Sequence, residues 1–290
     1  MTHLFSPFRL RSLQLANRIV VSPMCQYSAV QGRAQPWHLA HLGQLALGGA
    51  GLLTIEATGV EPAGRITHGC LGLWDDETEA ALSWLVDSLR ELGPTPIAIQ
   101  LAHAGRKASS ARPWEGGQLL PPGAGGWRPV APSAVPHLGG ETPPHALALH
   151  ELEGLKRRFV DATERAARLG IDAVELHSAH GYLLHEFLSP LANHRTDDYG
   201  GSLENRMRFP LEVFAAMRAA WPAHRPMGVR VSATDWVDGG WDPAGTLAYA
   251  KRLEQLGADW IDVSSGGVSP KQRIALGLGY QVPFAEALRK

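Results

Sequence analysis

Short apolar runs alternate with longer amphipathic stretches along nearly the whole of this 290-residue chain. That alternation marks repeated strand–helix units, whose strands run parallel because each must return through a crossover. The runs predict strands at Arg18–Ser22, Gly51–Ala57, Pro96–Leu101, Ala173–His177, Gly228–Ser232 and Trp260–Ser264. Most are almost continuous in Val, Ile, Leu and Ala, the composition of strands covered on both faces.

The segments between them carry helix punctuation. Leu152, Leu155, Phe159, Ala162, Ala166 and Leu169 trace one helical stripe, and Gly170 stands where a terminating glycine belongs. Asp242-Pro243 reads as an N-cap followed by proline at the first helical position. Ser202 is the expected cap of the helix that holds Phe209 and Phe214, and a further helix is expected over Pro283–Lys290. The rhythm breaks between Ala104 and His150, which are rich in Pro and Gly. A loop of that length in a compact domain is usually a binding loop or lid. Trp114 and Trp127 give it apolar surface to pack, and it is expected to cover the mouth of a site.

Composition narrows the function. A formal net charge of −1 leaves no basic footprint for nucleic acid or an anionic membrane surface. No apolar run reaches membrane-spanning length, and the N-terminus lacks the basic and apolar regions of a secretion signal. Two cysteines, Cys25 and Cys70, cannot build a disulfide framework and suit a reducing compartment, so a cytoplasmic protein is expected.

Unusual polar residues gather at or near the carboxyl ends of the predicted strands. Cys25 and Thr58 follow the first two, Gln100 closes the third, His177 and His180 end the fourth, and Arg230 lies in the fifth. Ser264-Ser265-Gly266-Gly267 ends the sixth. In a (β/α)8 barrel the active site is assembled from the carboxyl ends of different strands. The run His177-Ser178-Ala179-His180-Gly181-Tyr182 is the most telling. Read as the first turn of a helix, it sets two imidazoles three residues apart on one face, with a phenol close by. Two neutral donors and a proton source suit a carbonyl compound that is polarised and then protonated.

With these residues in view, the chain resembles the Old Yellow Enzyme family of FMN-dependent ene-reductases, in the thermophilic-like branch near the xenobiotic reductases. The resemblance is carried by Ser22-Pro23-Met24-Cys25-Gln26-Tyr27, Glu56-Ala57-Thr58, the stretch from Gln100 to Lys107, His177 to Pro190, and Asn193 to Ser202. It implies an α/β fold, a TIM barrel of the FMN-linked oxidoreductase type, forming one domain over residues 1–290 with 104–150 as the capping insertion. It implies FMN as cofactor and NADPH as hydride donor, with reduction of an α,β-unsaturated carbonyl or related activated alkene. Ser22, Pro23, Met24, Cys25, Ala57, Gln100 and Arg230 are then expected to bind the flavin, with the Cys25 thiol tuning its potential. His177 and His180 are expected to hold the substrate carbonyl, Tyr182 to donate the proton, and Tyr27 to line the substrate side. A small-molecule substrate and NADPH are the expected partners, with a homo-oligomer as the possible assembly.

Six strands are counted where the family barrel has eight, so the last two βα units and their phosphate site are expected to be missing. A truncated member with weakened FMN binding is the alternative that follows. A metal-dependent barrel hydrolase, suggested by thirteen histidines, ranks well below, because Cys25, Gln100 and Arg230 do not make a metal site.

Overall fold

The computed structural model describes residues 3–290. A short hairpin, β1 (Phe8–Leu10) and β2 (Leu13–Leu15), precedes the main sheet. The sheet is built from β3 (Val20–Val21), β4 (Leu52–Gly59) and β5 (Ile97–Ala102), then β8 (Ala173–Ser178), β9 (Met227–Ser232) and β10 (Trp260–Ser264). A two-residue parallel pair, β6 (Val130–Ala131) with β7 (His145–Ala146), lies in the long connection. The six main strands are all parallel and neighbour each other in sequence order, so every connection is a simple crossover. The sheet curls into a half-barrel with β3 and β10 at its edges, as the six-strand count anticipates.

Helices α1 (Pro36–Leu47), α2 (Asp76–Leu92), α3 (Leu149–Arg168), α4 (Leu183–Leu188), α5 (Leu203–Ala220), α6 (Pro243–Gln255) and α7 (Val282–Arg289) fill the crossovers and the end of the chain. Their ends follow the sequence signals. Asp242 accepts the Gly245 N–H at 2.7 Å and Ser202 accepts that of Asn205 at 3.2 Å. Gly170, at φ +70°, reverses the chain after α3, where its own N–H and that of Ile171 close on Ala167 and Ala166.

Alternate strand residues divide the sheet into two chemistries. Leu53, Ile55, Ile97, Ile99, Leu101, Val174, Leu176, Val229 and Val231 pack outward with Phe159, Leu85, Phe214 and other helical residues in one apolar cluster. On the inner side Leu15, Leu52, Ala98 and Ala173 form a second, smaller cluster with Leu10, Leu13 and Trp260. The β1–β2 hairpin thus closes the amino end of the inner face.

The first main strand is shorter than the sequence suggests. Asn17 turns the chain by accepting the Ile19 N–H and donating to the Gly49 carbonyl, and Pro23 brings no N–H to extend the ladder. The 104–150 connection is held down at several points. Trp127 donates from Nε1 to the Ala63 carbonyl at 2.9 Å, with the Arg65 guanidinium 5.0 Å over its ring. Trp114 meets the Tyr27 ring edge-on at 6.0 Å between centroids. No helix of the described residues is long and apolar enough to cross a membrane.

Candidate active site

The inner residues of successive strands stand side by side because parallel register aligns them. Gln100 pairs with Glu175, His177 with Arg230, Arg230 with Asp262, and Ser232 with Ser264. Each of these side chains therefore shares one face of the sheet, rising from the apolar plug toward the carboxyl end. A cavity of about 420 Å³ opens on this face and is lined by Ser22, Pro23, Thr54, Glu175, Trp260 and Asp262, among others.

His177 and His180 do converge, but not through a helical turn. Strand β8 runs on through Ser178, then His180 at φ +58° and Gly181 at φ +71° reverse the chain before α4 begins at Leu183. The reversal brings the two imidazole centroids to 5.2 Å, nearly perpendicular at 82°. The Tyr182 ring lies 5.0 Å from that of His177 and 6.5 Å from that of His180. A left-handed residue other than glycine is costly and must be held. The His180 N–H donates to Ser232 Oγ at 2.9 Å, its carbonyl accepts from Lys107 Nζ at 2.8 Å, and its Nε2 lies 2.6 Å from Ser264 Oγ. Gly181 and Gly267 face each other so closely that a Cβ on either would fall 2.2–2.4 Å from the backbone of the other loop. Lys107 also donates to the Gly267 carbonyl at 3.0 Å, clasping both loops, and its ammonium sits 4.9 Å over the Tyr182 ring.

Burial and like charge keep both imidazoles neutral. His177 is pushed well below the usual histidine range by burial first, then by His180 and Arg230. Burial and then Arg230 and Lys107 bring His180 down to about 3. His177 Nδ1 accepts the Ala179 N–H at 3.2 Å, which leaves the ring hydrogen on Nε2 as a donor. Tyr182 is raised well above the phenol range, mainly by burial, so it keeps its proton.

Ser22 to Cys25 lie beyond β3 outside any strand, with Ser22 and Met24 exposed. The Arg230 guanidinium reaches the Pro23 carbonyl at 3.5 Å. Cys25 is partly buried, and its thiol is raised by burial, then by Cys70 and Glu56, against the pull of the Ala57 N–H and Arg230. Ala57 lies inside β4, beside Cys25, and Gln100 is buried inside β5. Tyr27 adopts a left-handed φ of +51° beneath Trp114. Arg230 has an anion of its own in Asp262, 3.1 Å away.

Several residues around this face were given no site role in the sequence reading. Glu56, Glu175 and Asp262 are each the one acid of a strand, a signal of the same kind as the lone Arg230 of β9. Lys107 gave no such signal, since it sits in the irregular start of the long connection. His185 and Asp235, fully buried and 2.9 Å apart, brace the turn from behind, with His185 Nδ1 accepting the Gly181 N–H. Among the described residues, no group of three or more His, Cys, Asp or Glu side chains is arranged to hold a metal ion.

A family model described as NADH:flavin oxidoreductase / NADH oxidase matches residues 3–271. The NADPH dehydrogenase of Bacillus pumilus is 45% identical over all of this chain and 80% of its own length. An NADH:flavin oxidoreductase of Gibberella zeae is 43% identical over all of this chain and 74% of its own. Among solved structures, morphinone reductase in complex with tetrahydroNAD superposes with a TM-score of 0.79 at 31% identity, covering 99% of this chain and 78% of that one. The Old Yellow Enzyme homologue of Zymomonas mobilis gives 0.78 at 28% identity, over 98% and 79%. A half-barrel with its polar residues on the inner face agrees with all of these, and the chain belongs to the NADH:flavin oxidoreductase / NADH oxidase family, as an FMN-dependent oxidoreductase of the Old Yellow Enzyme type.

Proposed function

We propose that the chain is an ene-reductase acting on activated alkenes, with an α,β-unsaturated carbonyl as the model substrate. The observation that carries this reading is the convergence of His177, His180 and Tyr182 on one spot, two neutral imidazoles beside a protonated phenol.

The residues present fit a flavin ring. Gln100 brings a buried amide, Arg230 a cation beside the Pro23 carbonyl, and Ser22–Cys25 an irregular backbone free of the ladder. In this reading Ser22, Pro23, Met24, Cys25 and Ala57 form one wall, and Gln100 and Arg230 meet the pyrimidine edge. When bound, FMN supplies the hydride obtained from NADPH. His177 and His180 hold the substrate carbonyl oxygen by hydrogen bonds that strengthen as negative charge grows on it. Their neutrality matters, because an imidazolium would protonate or trap an anion rather than hold it reversibly. Tyr182 holds the proton that reaches the α-carbon. Tyr27, pinned by Trp114, lines the opposite side, and the 104–150 connection covers the mouth.

The test uses FMN-loaded protein, NADPH and 2-cyclohexen-1-one, with cyclohexanone measured by gas chromatography. Turnover is expected for the native chain. Tyr182→Phe is expected to lower kcat by roughly 10²-fold or more, and His177→Ala to lower kcat/KM by a similar factor. NADPH consumption without cyclohexanone would sink the reading and leave oxygen as the only acceptor.

A further inference from the structure

Of the inner-face carboxyls that none of these roles uses, Glu175 is the one bonded directly to Gln100. Glu175 is buried at 3% exposure and lies between Gln100 of β5 and Gly228 of β9 in the ladder. Its Oε1 accepts from Gln100 Nε2 at 2.8 Å and its Oε2 from Trp260 Nε1 at 3.1 Å. Trp260 reaches it across a whole strand because position 228 is glycine; a Cβ there would lie 2.0 Å from the indole. Three neighbouring strands therefore contribute a glutamate, a glycine and a tryptophan to one small device.

A buried carboxyl is expensive, and an apolar residue of similar size would pack at less cost. Burial and then Asp262 raise its pKa, while the hydrogen bond from Trp260, the Arg230 charge and the hydrogen bond from Gln100 work against them. The charged or titratable groups that face it are Asp262 on β10, Arg230 on β9 and His177 on its own strand; β5 brings only the neutral Gln100. What the carboxylate does for Gln100 follows from donor and acceptor counting. In its ionised form Glu175 only accepts, so the amide meets it with an N–H, as the structure has it, and turns its oxygen the other way. Without that partner the amide can rotate, presenting NH2 or oxygen with little preference.

We propose that Glu175 is a positioning residue of the cofactor seat: it fixes the orientation of the Gln100 amide and so decides which group meets the pyrimidine edge of FMN. The inference rests on the assignment of Gln100 to that edge. A carboxylate that merely supports the fold would act on FMN regardless of what stands at position 100, whereas a positioning one acts only through Gln100.

The experiment is a double-mutant cycle read by FMN affinity, from flavin fluorescence quenching, and by the reduction potential of the bound flavin. Glu175→Gln, which keeps the shape but can pair with the amide in either sense, is expected to weaken FMN about tenfold and shift the potential. In the Gln100→Ala background the same change is expected to cost less than twofold and to leave the potential alone. Equal penalties in the two backgrounds would overturn the proposal while leaving the flavin seat intact. Gln100→Ala with native FMN affinity would instead overturn the placement of Gln100, and the proposal with it. Should Glu175→Gln fail to fold, Trp260→Phe removes only the second donor, and its smaller effect must likewise vanish when Gln100 is absent.

Discussion

The two faces of the same strands make the most instructive contrast in this molecule. Outward, β5, β8 and β9 present Ile97, Ile99, Leu101, Val174, Leu176, Val229 and Val231, all buried in one apolar cluster. Inward, the residues between them are Gln100, Glu175, His177 and Arg230, an array of amide, acid, imidazole and guanidinium. Neighbouring positions in the chain thus serve opposite ends. The outer face supplies the free energy of folding, and the inner face spends part of it on holding polar groups away from water. Both chemistries fit into six residues only because successive side chains leave a strand in opposite directions.

The contrast can be broken most directly at Leu176, which sits between Glu175 and His177 but points outward into the cluster. Leu176→Ala is expected to cost about 2–5 kcal/mol in urea unfolding, through lost contacts and a cavity behind the sheet. A cost within about 0.5 kcal/mol would show that the outer face does not carry the stability assigned to it.

An inner residue should behave in the opposite way. Glu56 is buried with Oε1 unpaired, and burial raises it to about 8 despite the hydrogen bond from the Gln26 N–H. With a folded pKa above the unfolded value, its unfavourable contribution is absent below about pH 4.5. It grows as pH rises toward 8, because the unfolded chain releases the proton first. Glu56→Gln removes this dependence, so the stability difference from the native chain should move in the variant's favour by up to about 1.4 kcal/mol per pH unit. Urea midpoints of both proteins at pH 5.5 and 7.5 test it; a difference that does not change with pH would mean that Glu56 ionises normally.

The smallest effect sharpens the outer half alone. Ile99→Val removes one methyl group from the cluster and is expected to cost roughly 0.5–1.5 kcal/mol, leaving FMN affinity as it was. A change in affinity without that cost would show that the sheet transmits packing changes to its inner face.

Much of this was legible in the residues. Five of the six strands lie where the apolar runs are, and Gly170, Ser202 and Asp242 end or begin helices as their chemistry requires. The exception, Val20–Val21, is cut short by the Asn17 turn and Pro23, which are side-chain and backbone effects that an apolar run does not display. The cluster of His177, His180 and Tyr182 was legible as a set, while its geometry was not. Three-residue spacing suggested a helical face, whereas a left-handed residue and a glycine make the convergence instead. What stayed hidden is what depends on register between distant strands. The Gln100–Glu175 and Arg230–Asp262 pairs join residues 75 and 32 positions apart, and nothing local in either segment names its partner.

The mutual approach of Gly181 and Gly267 has a consequence for how this chain tolerates change. Neither residue carries a functional group, yet each occupies space that a single methyl would take from the other's loop. A saturation survey scored by turnover would rank both as indispensable, beside His177 and Tyr182. Such a map would mark four positions as equals, although two of them contribute nothing but room.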